Sequence, residues 1–293
     1  MLSLTIRHWM ARAGSLLPGA CALCGASGRH ALCAGCRCQF FTARPARCRR
    51  CALPLAAHSD AGRECGACLG ARPAYDASVA ATDYAAPVEQ LVLGLKFGAR
   101  LALAPLLAEL MRDALLDAAG GAGAGTLADA GAAADVAVPA SPLPPSLQSP
   151  GPQRPARTPG PAAARFPSAL ALPELLCPVP LGPGRLRERG FNQALEIARP
   201  LAQALGMPVA PRLLVRLRET PPQSRLSPQG RHSNLQGAFS LHPDQLAAVR
   251  GRHVGVVDDV MTTGATLHEI AALLHRFGAA RVTNLVFART LPA

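Results

Sequence analysis

Apolar residues along this chain change period several times, and the changes mark out its elements. Alternating or unbroken apolar runs at ASVAATDY (77–84), LPELLCPVPL (172–181), VAPRLLVRLR (209–218), AFSL (238–241), HVGVVDD (253–259) and RVTNLVFART (281–290) predict strands. Three- and four-residue apolar spacing in VEQLVLGLKFGARLALAPLLAELMRDALLDAA (88–119) predicts two helical stretches that meet near Gly98. GFNQALEIARPLAQALG (190–206) and ATLHEIAALLHRFG (265–278) predict two more helices, and residues 219–237 a polar loop. Strands alternating with helices imply an α/β fold with a parallel, Rossmann-like sheet covered on both faces and joined by right-handed crossovers.

Two regions fall outside this rhythm. From residue 120 the text becomes GGAGAGTLADAG and then a proline-rich run to 164, which cannot bury enough apolar surface to offset chain entropy. A disordered insertion over about 120–168 is expected, with ADVAVPA (134–140) as an alternative, displaced strand. The first 72 residues form the other region, a short amphipathic helix leading into a cysteine-rich segment, with the α/β domain following over 73–293. Arg7, His8 and Arg12 interrupt the apolar start, unlike a signal peptide, and no run reaches the roughly 18 apolar residues of a membrane helix. No membrane insertion and a cytoplasmic location are expected.

Ten cysteines are present, and eight lie in four CxxC pairs: Cys21 and Cys24, Cys33 and Cys36, Cys48 and Cys51, Cys65 and Cys68. Two thiolates two residues apart can hold one metal from a single turn, and two such turns complete a tetrahedral zinc site. Four turns predict two structural Zn²⁺ ions, with no open position for a reacting water. Sequential pairing joins the first pair to the second and the third to the fourth; cross-bracing joins the first to the third. Cys38 reads as a bystander and Cys177, in an apolar run, as an inert buried thiol.

Charge adds less than its size suggests. The formal net charge is +12, which suits a phosphorylated or polyanionic ligand. Yet Lys96 is the one lysine among 30 basic residues in a chain rich in alanine, glycine and proline, so codon bias accounts for part of the arginine excess. Aromatics at 4% argue against an extended base-stacking surface. A single lysine where arginine serves everywhere else suggests a need for a compact ammonium, near a phosphate.

The most informative stretch is HVGVVDDVMTTGATLHEI (253–270). In an open parallel sheet, ligands sit beyond the carboxyl ends of the strands, where this run delivers Asp258 and Asp259. A loop of Met261, Thr262, Thr263, Gly264, Ala265 and Thr266 follows, leading into a helix that starts near Thr266. Its amides and hydroxyls can wrap a phosphate, while the acids accept hydrogen bonds from vicinal hydroxyls. The combination suits a ribose with its 2′ and 3′ hydroxyls on the acids and its 5′-phosphate in the loop. A Walker A loop would need a lysine that is missing, and a bare aspartate metal site would leave the donor loop without a role.

VVDDVMTTGAT closely resembles the 5-phosphoribosyl-1-pyrophosphate (PRPP) motif of type I phosphoribosyltransferases. With the four CxxC pairs, LKFGAR, CPVPLGPGRLRERGFNQA and TPPQSRLSPQGRHSNLQGAF in that order, the chain resembles the competence-protein F (ComF) family. Such proteins place a type I phosphoribosyltransferase-like domain behind a double zinc ribbon. The resemblance covers about 18–118 and 174–290, and the long insertion departs from it.

The resemblance implies that Asp258 and Asp259 hold the ribose hydroxyls and Met261 to Thr266 the 5′-phosphate. It also implies that Arg185 to Asn192 is a pyrophosphate loop, in which Arg185, Arg187 and Arg189 neutralise the leaving charge. Arginine forks match phosphate oxygens, so the residues alone point the same way. Asn192, Gln193 and Lys96 are further candidates, and Glu219 to Asn234 resembles a mobile lid. The implied reaction is displacement of pyrophosphate by a nitrogen nucleophile, with Mg²⁺ carried mainly by the pyrophosphate. The acceptor is not written in the sequence and no catalytic base is obvious. The family implies a role in natural competence and DNA uptake, with competence-machinery proteins as partners. The alternative is a noncatalytic protein that senses PRPP or handles single-stranded DNA. Nothing in the sequence bears on oligomeric state.

Overall fold

A computed structural model describes residues 19–55, 64–120, 170–218 and 237–292. The expected N-terminal helix, nearly all of the insertion with ADVAVPA, and the lid loop lie outside these residues.

The frame is a four-stranded parallel sheet in the order β3 (Ala77–Asp83), β8 (Arg281–Arg289), β7 (His253–Met261), β4 (Leu175–Pro178). The two central strands are buried along most of their length because both faces are covered. Val254, Val256, Val282 and Val286 enter one core, while Val257, Leu285 and Phe287 enter the other. The second core is closed by α3 (Glu89–Lys96), α4 (Leu103–Gly120) and α6 (Gln193–Leu205). The first is closed by α7 (Ala265–Arg276) and by a small hairpin of β5 (Leu214–Arg216) and β6 (Phe239–Leu241).

That hairpin differs from the strand reading of 209–218 and 238–241 as parts of the parallel sheet. Val209 makes one parallel bridge to Leu176, through Leu176 N to Pro208 O and Ala210 N to Leu176 O. The next bond of this register would run from residue 178 to Ala210 O, but Pro178 has no N–H to give, and the chain leaves the edge and pairs antiparallel with β6.

The cysteine-rich region packs on the same frame at two places. Its first half pairs β1 (Gly19–Ala20) with β2 (Ser27–Gly28) and continues through α1 (Ala34–Arg37) and a π-helical turn (Cys38–Thr42). Arg37 pairs with Glu109 at 2.8 Å and Arg44 with Asp117 at 3.0 Å, while Phe41 is buried near Phe287. The second half, which includes α2 (Gly66–Gly70), lies along edge strand β3: Ser78 N donates to Arg49 O and Arg47 pairs with Asp83 at 2.7 Å. Covering that edge removes a template for unwanted strand pairing.

Candidate functional site

The acid pair sits deeper in its strand than expected. Register with β8 continues to Met261 opposite Arg289, so β7 runs past both acids and Met261 is its last residue. The predicted six-residue loop therefore shrinks to Thr262, Thr263 and Gly264, and α7 begins at Ala265. Gly264 adopts φ +81°, and a Cβ there would lie 2.7 Å from Met261 Cε and 2.9 Å from the Tyr75 hydroxyl. Only glycine fits a turn this tight. Thr262 and Thr263 are exposed, Thr266 is half-buried, and the Ala265 amide donates to Thr263 Oγ1 at 3.4 Å.

The two acids have different surroundings. Asp259 is 2% exposed, and its Oδ2 meets Lys96 Nζ at 2.6 Å but takes no further hydrogen bond. Its Oδ1 accepts from Val260 N at 2.9 Å. Thus the lone lysine, read from sequence as a phosphate contact, is held by a carboxylate. Asp258 is half-buried, and its Oδ1 accepts from Asp259 N at 2.9 Å. Burial, followed by the neighbouring Asp259 charge, raises the Asp258 pKa well above the usual carboxylate range, with Lys96 opposing.

The arginine segment is a short helix instead of an open loop: α5 spans Pro183–Arg189. Pro183 starts it and Gly190, at φ 78°, ends it, both ordinary helix signals. Arg185 and Arg189 line a cleft of about 580 Å³ together with Lys96, Phe97, Glu188, Phe191 and Gln193. Arg187, two residues from each, is exposed and does not line it. The Arg189 guanidinium lies 5.4 Å from the centre of the Phe97 ring and donates to Gln193 Oε1. Burial lowers the Arg189 pKa, and the charges of Asp259 and Arg185 both act on it. Asn192 is occupied structurally: it caps α6 through Ala194 N at 3.0 Å, and its Nδ2 donates to Val179 O at 3.0 Å.

Three residues at the site went unnoticed in the sequence. Arg289 is buried at the end of β8 and donates to Met261 O and Thr262 O on the loop's inner side. Tyr75 is buried beside Gly264, and His268 of α7 accepts from Ala74 N at 3.0 Å. The available signal was an arginine directly after the apolar stretch LVFA, a position where a charge needs a reason.

The cysteines form two clusters in sequential pairing: Cys21, Cys24, Cys33 and Cys36, then Cys48, Cys51, Cys65 and Cys68, each with its sulfurs within 4.8 Å of one another. Tetrahedral zinc with Zn–S near 2.3 Å places its sulfurs roughly 3.8 Å apart. Cys24 and Cys33 are separated by 3.7 Å and Cys51 and Cys65 by 3.6 Å. Within the second cluster the sulfurs act on one another: the bond to Cys48 and burial push Cys51 up, and burial pushes Cys68 up. The Cys51 thiol, together with the amides of Cys51 and Cys65 and against the effect of burial, pushes Cys48 down to about 4. Both sites thus fit structural zinc. Cys38 is exposed and outside both clusters, and burial raises the Cys177 thiol pKa. Metal analysis of the purified chain is expected to give two zinc ions, and Cys24→Ser or Cys65→Ser to give one each.

The fold and these clusters define a phosphoribosyltransferase-type domain carrying a double zinc ribbon. Residues 192–290 match the phosphoribosyl transferase domain family and residues 13–69 the double zinc ribbon domain family. The chain is 33% identical to the DNA utilization protein YhgH of Salmonella typhimurium over 94% of its own length and 99% of that protein's. It is 29% identical to Competence protein F of Haemophilus influenzae, over 85% and 86% of the two lengths. This chain belongs to the competence-protein F (ComF) family, which includes YhgH. Among solved structures, a Bacillus subtilis glutamine PRPP amidotransferase is similar at 22% identity and a TM-score of 0.27, over 39% of this chain and 22% of that one. No helix among the described residues is long and apolar enough to cross a membrane.

Proposed function

We propose that this chain binds PRPP at the carboxyl end of β7 and acts in DNA uptake and utilisation, transferring the phosphoribosyl group to a nitrogen acceptor. The observation that carries the reading is the adjacency of an acid pair, a three-residue donor loop opening a helix, and an arginine-lined cleft on the Lys96 side of the pair. Asp258, half-buried and without a cation of its own among the described residues, is the acceptor for a ribose hydroxyl. Asp259, already neutralised by Lys96, anchors the pair. The loop amides and threonine hydroxyls take the 5′-phosphate at the positive end of α7. Arg185 and Arg189 then face the pyrophosphate, and neutralising that departing charge is the main catalytic contribution open to this chain. Mg²⁺ arriving with pyrophosphate would share that neutralisation. The names of the relatives support the setting in DNA utilisation, and eight thiolate ligands suit a reducing, cytoplasmic compartment.

A second reading draws on Phe97, which is 75% exposed beside Arg189 in the cleft. A flat aromatic face next to a guanidinium can stack a base, so the same cleft suits a nucleotide of single-stranded DNA in a noncatalytic protein. Titration of PRPP with and without Mg²⁺ tests the site: wild type binds, and Asp258→Asn/Asp259→Asn binds at least about 100-fold more weakly. Equal binding by the two removes the ribose assignment. Pyrophosphate release with some member of a panel of bases and amines supports transfer. PRPP binding without release, together with salt-sensitive oligonucleotide binding that Phe97→Ala weakens, supports the second reading.

A further inference from the structure

Arg289 lies at the end of β8, 6% exposed, with its guanidinium surrounded by main-chain carbonyls. Nε donates to Cys51 O at 2.9 Å. Nη1 donates to Met261 O at 3.0 Å, to Thr262 O, and to Thr290 O at 2.8 Å. One side chain therefore joins the backbone of a cysteine in the second cluster to the backbone that opens the candidate phosphate loop.

The bonds to Met261 O and Thr262 O fix more than position. Both peptide units are trans, so each amide N–H points opposite to the carbonyl of its own plane. With the two carbonyls turned inward to Arg289, the N–H groups of Thr262 and Thr263 are turned away from it, toward the face where the threonine side chains are exposed. Two adjacent outward amides make an anion nest, and the guanidinium behind them adds positive potential.

A parallel route reaches the same loop. Arg50, inside the second cluster's first CxxC pair, donates through Nη1 to Pro73 O at 3.3 Å and Tyr75 O at 2.8 Å. Those bonds seat Tyr75, whose hydroxyl stands where a side chain on Gly264 would fall. The knuckle around Cys51 is itself tight: Ala52 adopts φ 58°, and its amide donates to Cys48 O at 2.8 Å. A non-glycine residue holds that conformation only when its surroundings enforce it, as four thiolates on one ion do. Among the described residues the first cluster has no such link. Its ion pairs run from Arg37 and Arg44 to α4.

We propose that Arg289 is a positioning residue that couples the second four-cysteine cluster to the phosphate loop, so that the loop holds its anion-binding shape only while that cluster holds its metal. The proposal deepens the PRPP reading and rests on it for the identity of the ligand.

The full chain tests it through two independent readouts, the amide NMR resonances of Thr262, Thr263 and Gly264 without ligand, and titration with PRPP and with pyrophosphate alone. Wild type, Cys24→Ser, Cys65→Ser and Arg289→Lys are compared, with zinc content measured for each. The expected result is shifted or broadened loop resonances and PRPP affinity about 10- to 100-fold lower in Cys65→Ser and Arg289→Lys. Cys24→Ser, which also loses one zinc, keeps the wild-type values. Arg289→Lys keeps two zinc ions and wild-type pyrophosphate affinity, which a general loss of structure would not allow. Undisturbed loop resonances in Arg289→Lys, or equal effects of Cys24→Ser and Cys65→Ser, overturn the coupling. If the resonances follow the expected pattern but wild type binds no PRPP, the coupling stands and the ligand assignment falls. If all four proteins bind PRPP equally, the ligand assignment stands and the coupling falls.

Discussion

Lys96→Met is expected to lower stability by about 3 kcal/mol at neutral pH, because it leaves Asp259 buried without its counter-charge. The cost is large for one surface-proximal lysine because of where its partner sits. Asp259 is 2% exposed and Lys96 Nζ lies 2.6 Å from its Oδ2. Pairing two exposed charges would be worth little, but removing one member of a pair whose other member is buried leaves the full desolvation cost. Methionine retains most of the aliphatic stem, so the loss reports the charge. Lys96 also ends α3, where a cation is favoured by the helix dipole. Urea denaturation measures the effect, and the deficit narrows in acid, where the neighbouring Asp258, whose pKa burial raises, takes up a proton and relieves the uncompensated charge. A change below about 0.5 kcal/mol at pH 7 would show that the pair contributes nothing beyond an ordinary surface contact.

The sequence was most informative where one local rule decided the outcome. Central strands β7 and β8 were legible because the stretches VGVV and LVFA, buried on both faces, read as unbroken apolar runs, and α7 was bounded by a glycine at each end. The cysteine clusters were legible in kind, since a CxxC turn binds a metal with little help from the rest of the fold. Their pairing was not, because sequential and cross-braced arrangements use the same turns. Sequence reasoning failed where tertiary partners override local pattern. The apolar run at 209–218 alternates like a sheet strand, but β4 ends at Pro178, which has no N–H for Ala210 O, so the rest pairs elsewhere. Register with β8 carried β7 to Met261 and shortened the loop. Lys96 and Asp259 are 163 positions apart, and no spacing rule links them. Arg289 was missed for the same reason: its acceptors at Cys51 and Met261 come from two distant parts of the chain.

Asp258→Asn is expected to make the fold more stable and the ligand site worse, by about 1 kcal/mol and about 100-fold respectively. Burial and then the charge of Asp259 raise the pKa of this carboxyl in the folded chain. The folded state therefore holds the proton at pH values where the unfolded chain has released it. Stability from the protonated acid is complete below the unfolded value, near 3.8, and is lost as pH rises through the folded value. At neutral pH the Asp258 carboxyl is thus a net cost that asparagine removes, while asparagine's carbonyl can still accept from Asp259 N. The gain measured by thermal unfolding should shrink as pH falls toward 4, since protonated aspartic acid and asparagine are both neutral. Ribose hydroxyls, in contrast, bind a carboxylate through charge-assisted hydrogen bonds that an amide cannot match. A charge kept at the expense of stability is the signature of a residue held for binding. Should Asp258→Asn instead destabilise the chain at pH 7 and bind PRPP as wild type does, Asp258 is a structural acid and the sugar is recognised elsewhere.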